Sequence, residues 1–284
     1  MSWPRPLRSG RVLAGLAIVG FIAGTAAFAP LLAPHDPLEQ NLVSTFLPPA
    51  WASGGERAFP FGTDSLGRCV LSRLIYGARV AMTVSGLAAL GAMLIGTMLA
   101  HVAGYFGGRT DWLISRVVDI WLSFPPVILS LVLMVGLGTG LRNVVLAIVL
   151  VDWTRFCRVL RSEVLVLTRR DYVAAARLIG FSHWRTVTRE ILPGVVPLLL
   201  TVLSLEMGIA VIVEAILSFV GMSVGADTPA WGQMIADARQ AIYDAPWNLF
   251  FPIAAIFLAV FGFNMLGDGL RRSLDVRLSE TGRA

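Results

Sequence analysis

What most constrains this chain is a series of six long apolar blocks, at about residues 12–32, 80–103, 112–137, 143–160, 195–220 and 250–266. A helix needs about 20 residues to cross the roughly 30 Å of hydrocarbon in a bilayer, and each block is near that length. Within the blocks the apolar residues run on without the three-to-four spacing of a half-buried surface helix. Hydrophobic residues make up 56% of the chain and charged residues 14%, where a soluble domain carries about 25% charged. A water-soluble fold has no place for so much apolar surface. In lipid the backbone must pair within helices or closed barrels. No alternating pattern of about ten residues recurs, which disfavours a barrel. The expected fold is an all-α integral membrane protein, a six-helix transmembrane bundle.

Arginine placement sets the expected orientation. The net charge of +5 reflects 23 Arg, no Lys and 18 acids. Basic residues concentrate in cytoplasmic loops. With the amino terminus inside, only Arg57, Arg68, Arg73, Arg79, Arg142 and Arg239 fall on the outer side, and both termini are cytoplasmic. Spread over loops in this way, the basic residues suit anionic lipid better than nucleic acid. Residues 1–32 then form an amino-terminal cytoplasmic tail and first span, and 33–77 an external segment rich in Pro and Gly. Residues 78–270 form a five-helix core with a cytoplasmic loop at 169–193, and 271–284 a cytoplasmic tail. The first block follows Arg5, Arg8 and Arg11, and Ala27-Phe28-Ala29 is similar to a signal-peptidase site. Pro30 after it and the length of the block favour a retained helix over a cleaved signal. Cys69 and Cys157 fall on opposite sides of the membrane, which argues against a disulfide between them. In the external segment before the last span, Trp231 and Trp247 suit a lipid–water interface.

The loop between the fourth and fifth blocks has its own punctuation. Asp171 sits where an anion favours a helix start. Tyr172 and Val173 follow, then Ala174, Ala175 and Ala176, small residues of high helix propensity. Gly180 suits a carboxyl cap. Ser182 can cap a second short helix, and Pro193 is expected to break it before the next span. Two readings stand on these residues alone: an ordinary amphipathic loop, or a pair of short helices with a small-residue surface for close approach to a partner.

The spacing resembles the EAA loop of ATP-binding-cassette importer permeases, whose form is EAA, three residues, Gly, nine residues, then I-x-L-P. Ala175, Ala176, Gly180, Leu192 and Pro193 fall on that pattern, while Ala174 replaces the Glu and Glu190 stands where Ile is expected, with Ile191 beside it. The sequence is closer to the dipeptide and oligopeptide subfamily form, which Tyr172, Val173, Ala175, Ala176 and Arg177 fit. Other segments resemble the C-type permease subunit of dipeptide, oligopeptide, nickel and glutathione importers. They include the external motif Gly62-Thr63-Asp64 with Gly67-Arg68, the turn Gly104-Tyr105-Phe106-Gly107-Gly108, and Glu214 to Gly221 at the end of the fifth block. Cys69 departs from the Asp common there.

The resemblance implies a type I importer permease in a bacterial inner membrane, moving small peptides or related solutes. It implies a second permease subunit, two ATPase subunits carrying ATP and Mg, and an external substrate-binding protein. The chain itself is then no enzyme and binds no cofactor. Docking falls to Asp171, Tyr172, Ala175, Ala176, Gly180, Ser182, Ile191, Leu192 and Pro193. A phosphate-binding GxxxxGK[ST] is absent, and without Lys it cannot occur. His35, His101 and His183 show no metal-ligand spacing. Glu206 and Glu214 lie inside a span, where acids are costly and mark either a pathway or gate or a hydrogen bond between helices. Asp152 is placed to pair with Arg155 or Arg158. An ion-coupled secondary transporter is the alternative, although no internal repeat of the kind those proteins show is evident.

Overall fold

A computed structural model describes residues 10–225 and 227–274. Arg5 and Arg8, named above in the amino-terminal tail, lie outside the described residues, as do Arg277 and Arg283 of the carboxyl-terminal tail. The helices in chain order are α1 (Gly10–Ala27), α2 (Ala29–Leu32), α3 (Val70–Phe106), α4 (Gly108–Leu122), α5 (Pro126–Leu137), α6 (Leu141–Thr168), α7 (Asp171–Leu178), α8 (His183–Thr186), α9 (Leu192–Phe219), α10 (Trp231–Ala238) and α11 (Trp247–Leu274). A π-helical turn, Val187–Ile191, joins α8 to α9. No strand occurs among the described residues, only one isolated antiparallel bridge between Thr63 and Cys69.

Each apolar block falls on a helix or a helix pair. α1, α3, the continuous run His183–Phe219 and α11 are long and apolar enough to cross a membrane. α4 and α5 make a fifth span only as a pair bent by 87°. α6 has the length, but it carries Asp152, Arg155, Arg158, Arg161 and Glu163. It buries its apolar face against α3 and α9.

α3 is the longest element, at 37 residues, or about 55 Å of helix. Ala88, Ala92, Gly96, Ala100 and Gly104 recur at every fourth position and are all buried. A Cβ on Gly96 would stand 2.5 Å from both Phe156 Cβ and the Trp153 carbonyl oxygen, and one on Gly104 would stand 2.7 Å from Val164. The stripe therefore lets α3 and α6 approach backbone to backbone, as small-residue repeats do in lipid.

Three expectations are corrected. The block at 112–137 is two helices, because Pro125 and Pro126 each push the preceding residue out of helical geometry; Pro125 is extended, at ψ 123°, and Pro126 opens α5. Pro193 does not end the second short helix. In the π turn the Leu192 amide donates to the Val187 carbonyl, and Pro193, which has no amide hydrogen, follows directly in the first turn of α9. The bulge changes the hydrogen-bond register there, so the chain stays helical. Lastly, α3 starts at Val70, inside the segment read as an external loop at 33–77.

Candidate functional site

The loop expected to dock a partner folds as two short helices around a glycine. α7 ends in a pair of bonds that close its carboxyl terminus: the Phe181 amide donates to the Ala176 carbonyl at 3.1 Å and the Gly180 amide to the Arg177 carbonyl at 3.0 Å. This arrangement needs a left-handed residue, and Gly180 supplies it at φ +89°. Ser182 caps α8 by accepting from the Arg185 amide at 3.3 Å. The Arg185 guanidinium lies 4.0 Å from the Phe181 ring centroid.

The two faces of the loop differ. Val173, Ala176 and Ile191 are buried, and Val173 and Ile191 join a cluster with Tyr105 and Val164. Asp171, Tyr172, Ala174, Ala175, Gly180, Ser182 and Pro193 are exposed, and Leu192 is half-buried. Ala175 therefore offers the outward surface, while Ala176 packs inward. The sequence reading missed three large apolar residues on the outer side: Leu178 is 88% exposed, Ile179 74% and Trp184 78%. Exposed apolar groups clustered about a tight turn are the mark of a contact surface. Their signal in the sequence was large apolar residues on both sides of Gly180, set among Arg177, Ser182, His183 and Arg185.

At the other end of α3, the motif Gly62, Thr63, Asp64, Gly67 and Arg68 forms a closed knot. Asp64 Oδ1 accepts from the amides of Leu66 at 2.9 Å and Arg68 at 3.0 Å. Arg68 Nε donates to Asp64 Oδ2 at 2.7 Å. Arg73, in the first turn of α3, also pairs with Asp64. Both guanidiniums reach Asp237 of α10, at 3.1 Å and 3.2 Å. Thr63 Oγ1 accepts from the Leu47 amide at 2.9 Å, and Asn248 donates to the Thr63 carbonyl at 3.1 Å. Gly67 has φ +69°, and a Cβ there would run into the Asn41 carbonyl. These residues fasten the 33–69 segment to α3, α10 and α11. Trp231 is not at an interface: it is 3% exposed, its indole donates to the Leu74 carbonyl at 2.9 Å, and it covers Gly77.

The acids within the spans have partners. Arg155 Nη1 donates to Glu206 Oε2 at 3.2 Å, and its Nε lies 4.0 Å from Asp152 Oδ1. Ser223 Oγ donates to Glu214 Oε1 at 3.0 Å, and the Ser223 carbonyl accepts from the Gly140 amide at 2.8 Å. Glu206 thus joins α9 to α6, and Glu214 joins α9 to the turn before α6. Arg158 pairs with Asp119 at 2.5 Å rather than with Asp152, and Arg161 clamps Asp111 through two bonds. Cys69 and Cys157 are both buried and unpaired with each other. No cluster of three or more His, Cys, Asp or Glu suited to a metal occurs among the described residues.

Comparison with known proteins gives the same picture from outside. Residues 92–280 match the family model of the binding-protein-dependent transport system inner membrane component, and residues 2–49 match that of the N-terminal TM domain of oligopeptide transport permease C. The dipeptide transport system permease protein of Alkalihalophilus pseudofirmus is 39% identical over 268 residues, covering 93% of this chain and 86% of that protein. The glutathione transport system permease protein of Pectobacterium atrosepticum is 37% identical over 277 residues, covering 97% of this chain and 90% of that protein. Among solved structures, an inward-facing form of the MetNI methionine ABC transporter superposes with a TM-score of 0.61 at 17% identity, covering 71% of this chain and 96% of that one. That likeness carries the fold, which is that of type I importer permeases. The chain belongs to the family of binding-protein-dependent transport system inner membrane components, the permease subunits of ATP-binding-cassette importers.

Proposed function

We propose that this chain is one of two permease subunits of an importer for dipeptides, oligopeptides or related small solutes, glutathione and nickel among them. Two ATPase subunits carry ATP and Mg, dock on the face built by α7, Gly180 and α8, and perform the hydrolysis. An external binding protein delivers the cargo, and this subunit itself is a translocation subunit without enzymatic activity or bound cofactor. Both termini and the loop at 169–193 lie in the cytoplasm, following the arginine bias. The 33–77 segment faces outward and shapes the outer mouth. Glu206 and Glu214 act, in this reading, by holding α9 against its neighbours beside the path. The ion-coupled alternative finds no support in the family match.

The observation that carries this reading is the outer face of the loop. Leu178, Ile179 and Trp184 are exposed around a glycine-closed turn at one end of the bundle. A rigid element with a shaped contact surface is what a docking partner needs in order to move the spans. Gly180 supplies the test, because a Cβ there meets nothing within 4 Å. Gly180→Trp therefore adds bulk toward a partner and not into its own fold, and Gly180→Ala imposes the same backbone strain without the bulk. In the complete importer reconstituted in liposomes, Gly180→Trp should hydrolyse ATP without moving a dipeptide, while Gly180→Ala should stay coupled. Normal uptake by a well-expressed Gly180→Trp transporter would overturn the assignment.

A further inference from the structure

α3 ends on two aromatic residues beside the loop. Tyr105 is 6% exposed. Its hydroxyl shares a 2.8 Å hydrogen bond with Nδ1 of His183, the first residue of α8. The guanidinium of Arg177, in the last turn of α7, lies 4.7 Å from the centroid of the same ring. Phe106 packs edge-on against Tyr105 at 5.1 Å and tilted against His183 at 5.9 Å. One side chain from α3 is therefore held by both helices of the loop.

The remaining contacts of the loop with the bundle are of another kind. Val173, Ala176 and Ile191 are apolar and buried, and apolar burial is non-directional. A hydrogen bond prefers a narrow range of angles, and a guanidinium is attracted to the face of an aromatic ring. Next to His183 the packing is open: a groove of about 670 Å³ is lined by Met98, His101, Phe106, His183 and Trp184 among others. α8 has little behind it there, so the Tyr105 contacts fix its angle. α3 then runs 37 residues without an internal proline to Arg73 and the Asp64–Asp237 knot.

We propose that Tyr105 is a positioning residue of the transport cycle. Through its bond to His183 it ties the docking loop to α3, so that displacement of the loop drives α3 directly as well as α9, which is continuous with α8. The inference rests on the loop being where the ATPases dock. α3 becomes the strut that carries the motion from the loop to the knot at the opposite end.

The test is the amount of dipeptide transported per ATP hydrolysed, measured in the complete reconstituted importer. Tyr105→Phe keeps the ring, its burial and the Arg177 contact, and removes only the hydroxyl. His183→Ala removes the partner of the Tyr105 hydroxyl, and His183→Asn restores a hydrogen-bonding group near the position of Nδ1. Tyr105→Phe and His183→Ala should each lower the ratio by about threefold to tenfold, the scale of one hydrogen bond. The double variant should be no worse than either single, as expected for two residues acting through one contact. His183→Asn should recover most of the loss. A wild-type ratio in either single variant, or a loss in the double equal to the product of the two, overturns the proposal. A spin label on Ile179→Cys should gain mobility in Tyr105→Phe, and an unchanged spectrum counts against it. Gly180→Trp run in parallel separates the two readings: if it uncouples while Tyr105→Phe does not, docking stands and the role of Tyr105 falls.

Discussion

Asp64 accepts from two guanidiniums at once while only 5% exposed. Removing one member of a buried ion group leaves the others charged and desolvated, which costs about 3–5 kcal/mol. Asp64→Ala should therefore lower the unfolding midpoint of the detergent-purified subunit markedly. Asp237→Ala should cost less, because the Asp237 side chain is 31% exposed and water can take its place. Equal midpoints for parent and Asp64→Ala would show that the knot does not hold the segment. The neighbouring Cys69 marks a different kind of residue. It occupies the amino cap of α3 in extended geometry, yet makes no side-chain bond to the helix. A hydroxyl in that position accepts a backbone amide and stabilises a helix by about 1 kcal/mol. Cys69→Ser should raise the same midpoint by a few degrees, and a fall would mean that the buried thiol packs better than the cap bonds. The motif at 62–68 was legible in the sequence as spacing. Its fourth charged partner was not, because Asp237 lies 169 residues from Arg68 and an ion pair across the chain leaves no local pattern.

At the scale of elements, the spans were legible because long apolar blocks have no other use. Their breaks were less so. Pro125 and Pro126 sat inside a block read as one span, where hydropathy outvoted the backbone chemistry of proline, and the chain bends by 87° there. Pro193 was given too much weight in the other direction, since a π turn just before it leaves the helix continuous. The small-residue stripe on α3 was hidden for a third reason: alanine and glycine add to an apolar block without marking which face they are on. The packing gives that stripe a sharp test in two glycines of the same helix. A methyl added at Gly86 would have nothing within 4 Å, whereas one at Gly96 would press on the α6 backbone. Alanine is favoured over glycine inside a helix by about 1 kcal/mol, so Gly86→Ala should be neutral or stabilising. Gly96→Ala must force α3 and α6 apart and should destabilise by about 1–3 kcal/mol. Thermal unfolding of the two variants side by side checks this, and a Gly96→Ala subunit as stable as Gly86→Ala would deny close α3–α6 approach.

For the whole molecule, α3 is the ruler. Its roughly 55 Å exceeds the 30 Å or so of hydrocarbon, so its two ends must emerge on opposite sides if it stands across the bilayer. The knot of Asp64, Arg68, Arg73 and Asp237 is at one end, and the turn into α4 with the loop beside it is at the other. The charges along α6 fit the same frame, because Arg155, Arg158 and Arg161 pair with Glu206, Asp119 and Asp111 and do not face lipid alone. Ser53 lies exposed in the segment before α3, and Thr110 lies exposed just after it. The native Cys69 and Cys157 are buried, so the parent chain gives little background with a thiol reagent. In spheroplasts, an impermeant maleimide should label Ser53→Cys directly and Thr110→Cys only after the membrane is opened. Labelling of Thr110→Cys alone would invert the molecule and put the α7–α8 face outside, beyond the reach of any cytoplasmic ATPase. Equal labelling of both would mean that α3 does not span. Only the first pattern leaves an outer knot and an inner loop joined by one helix.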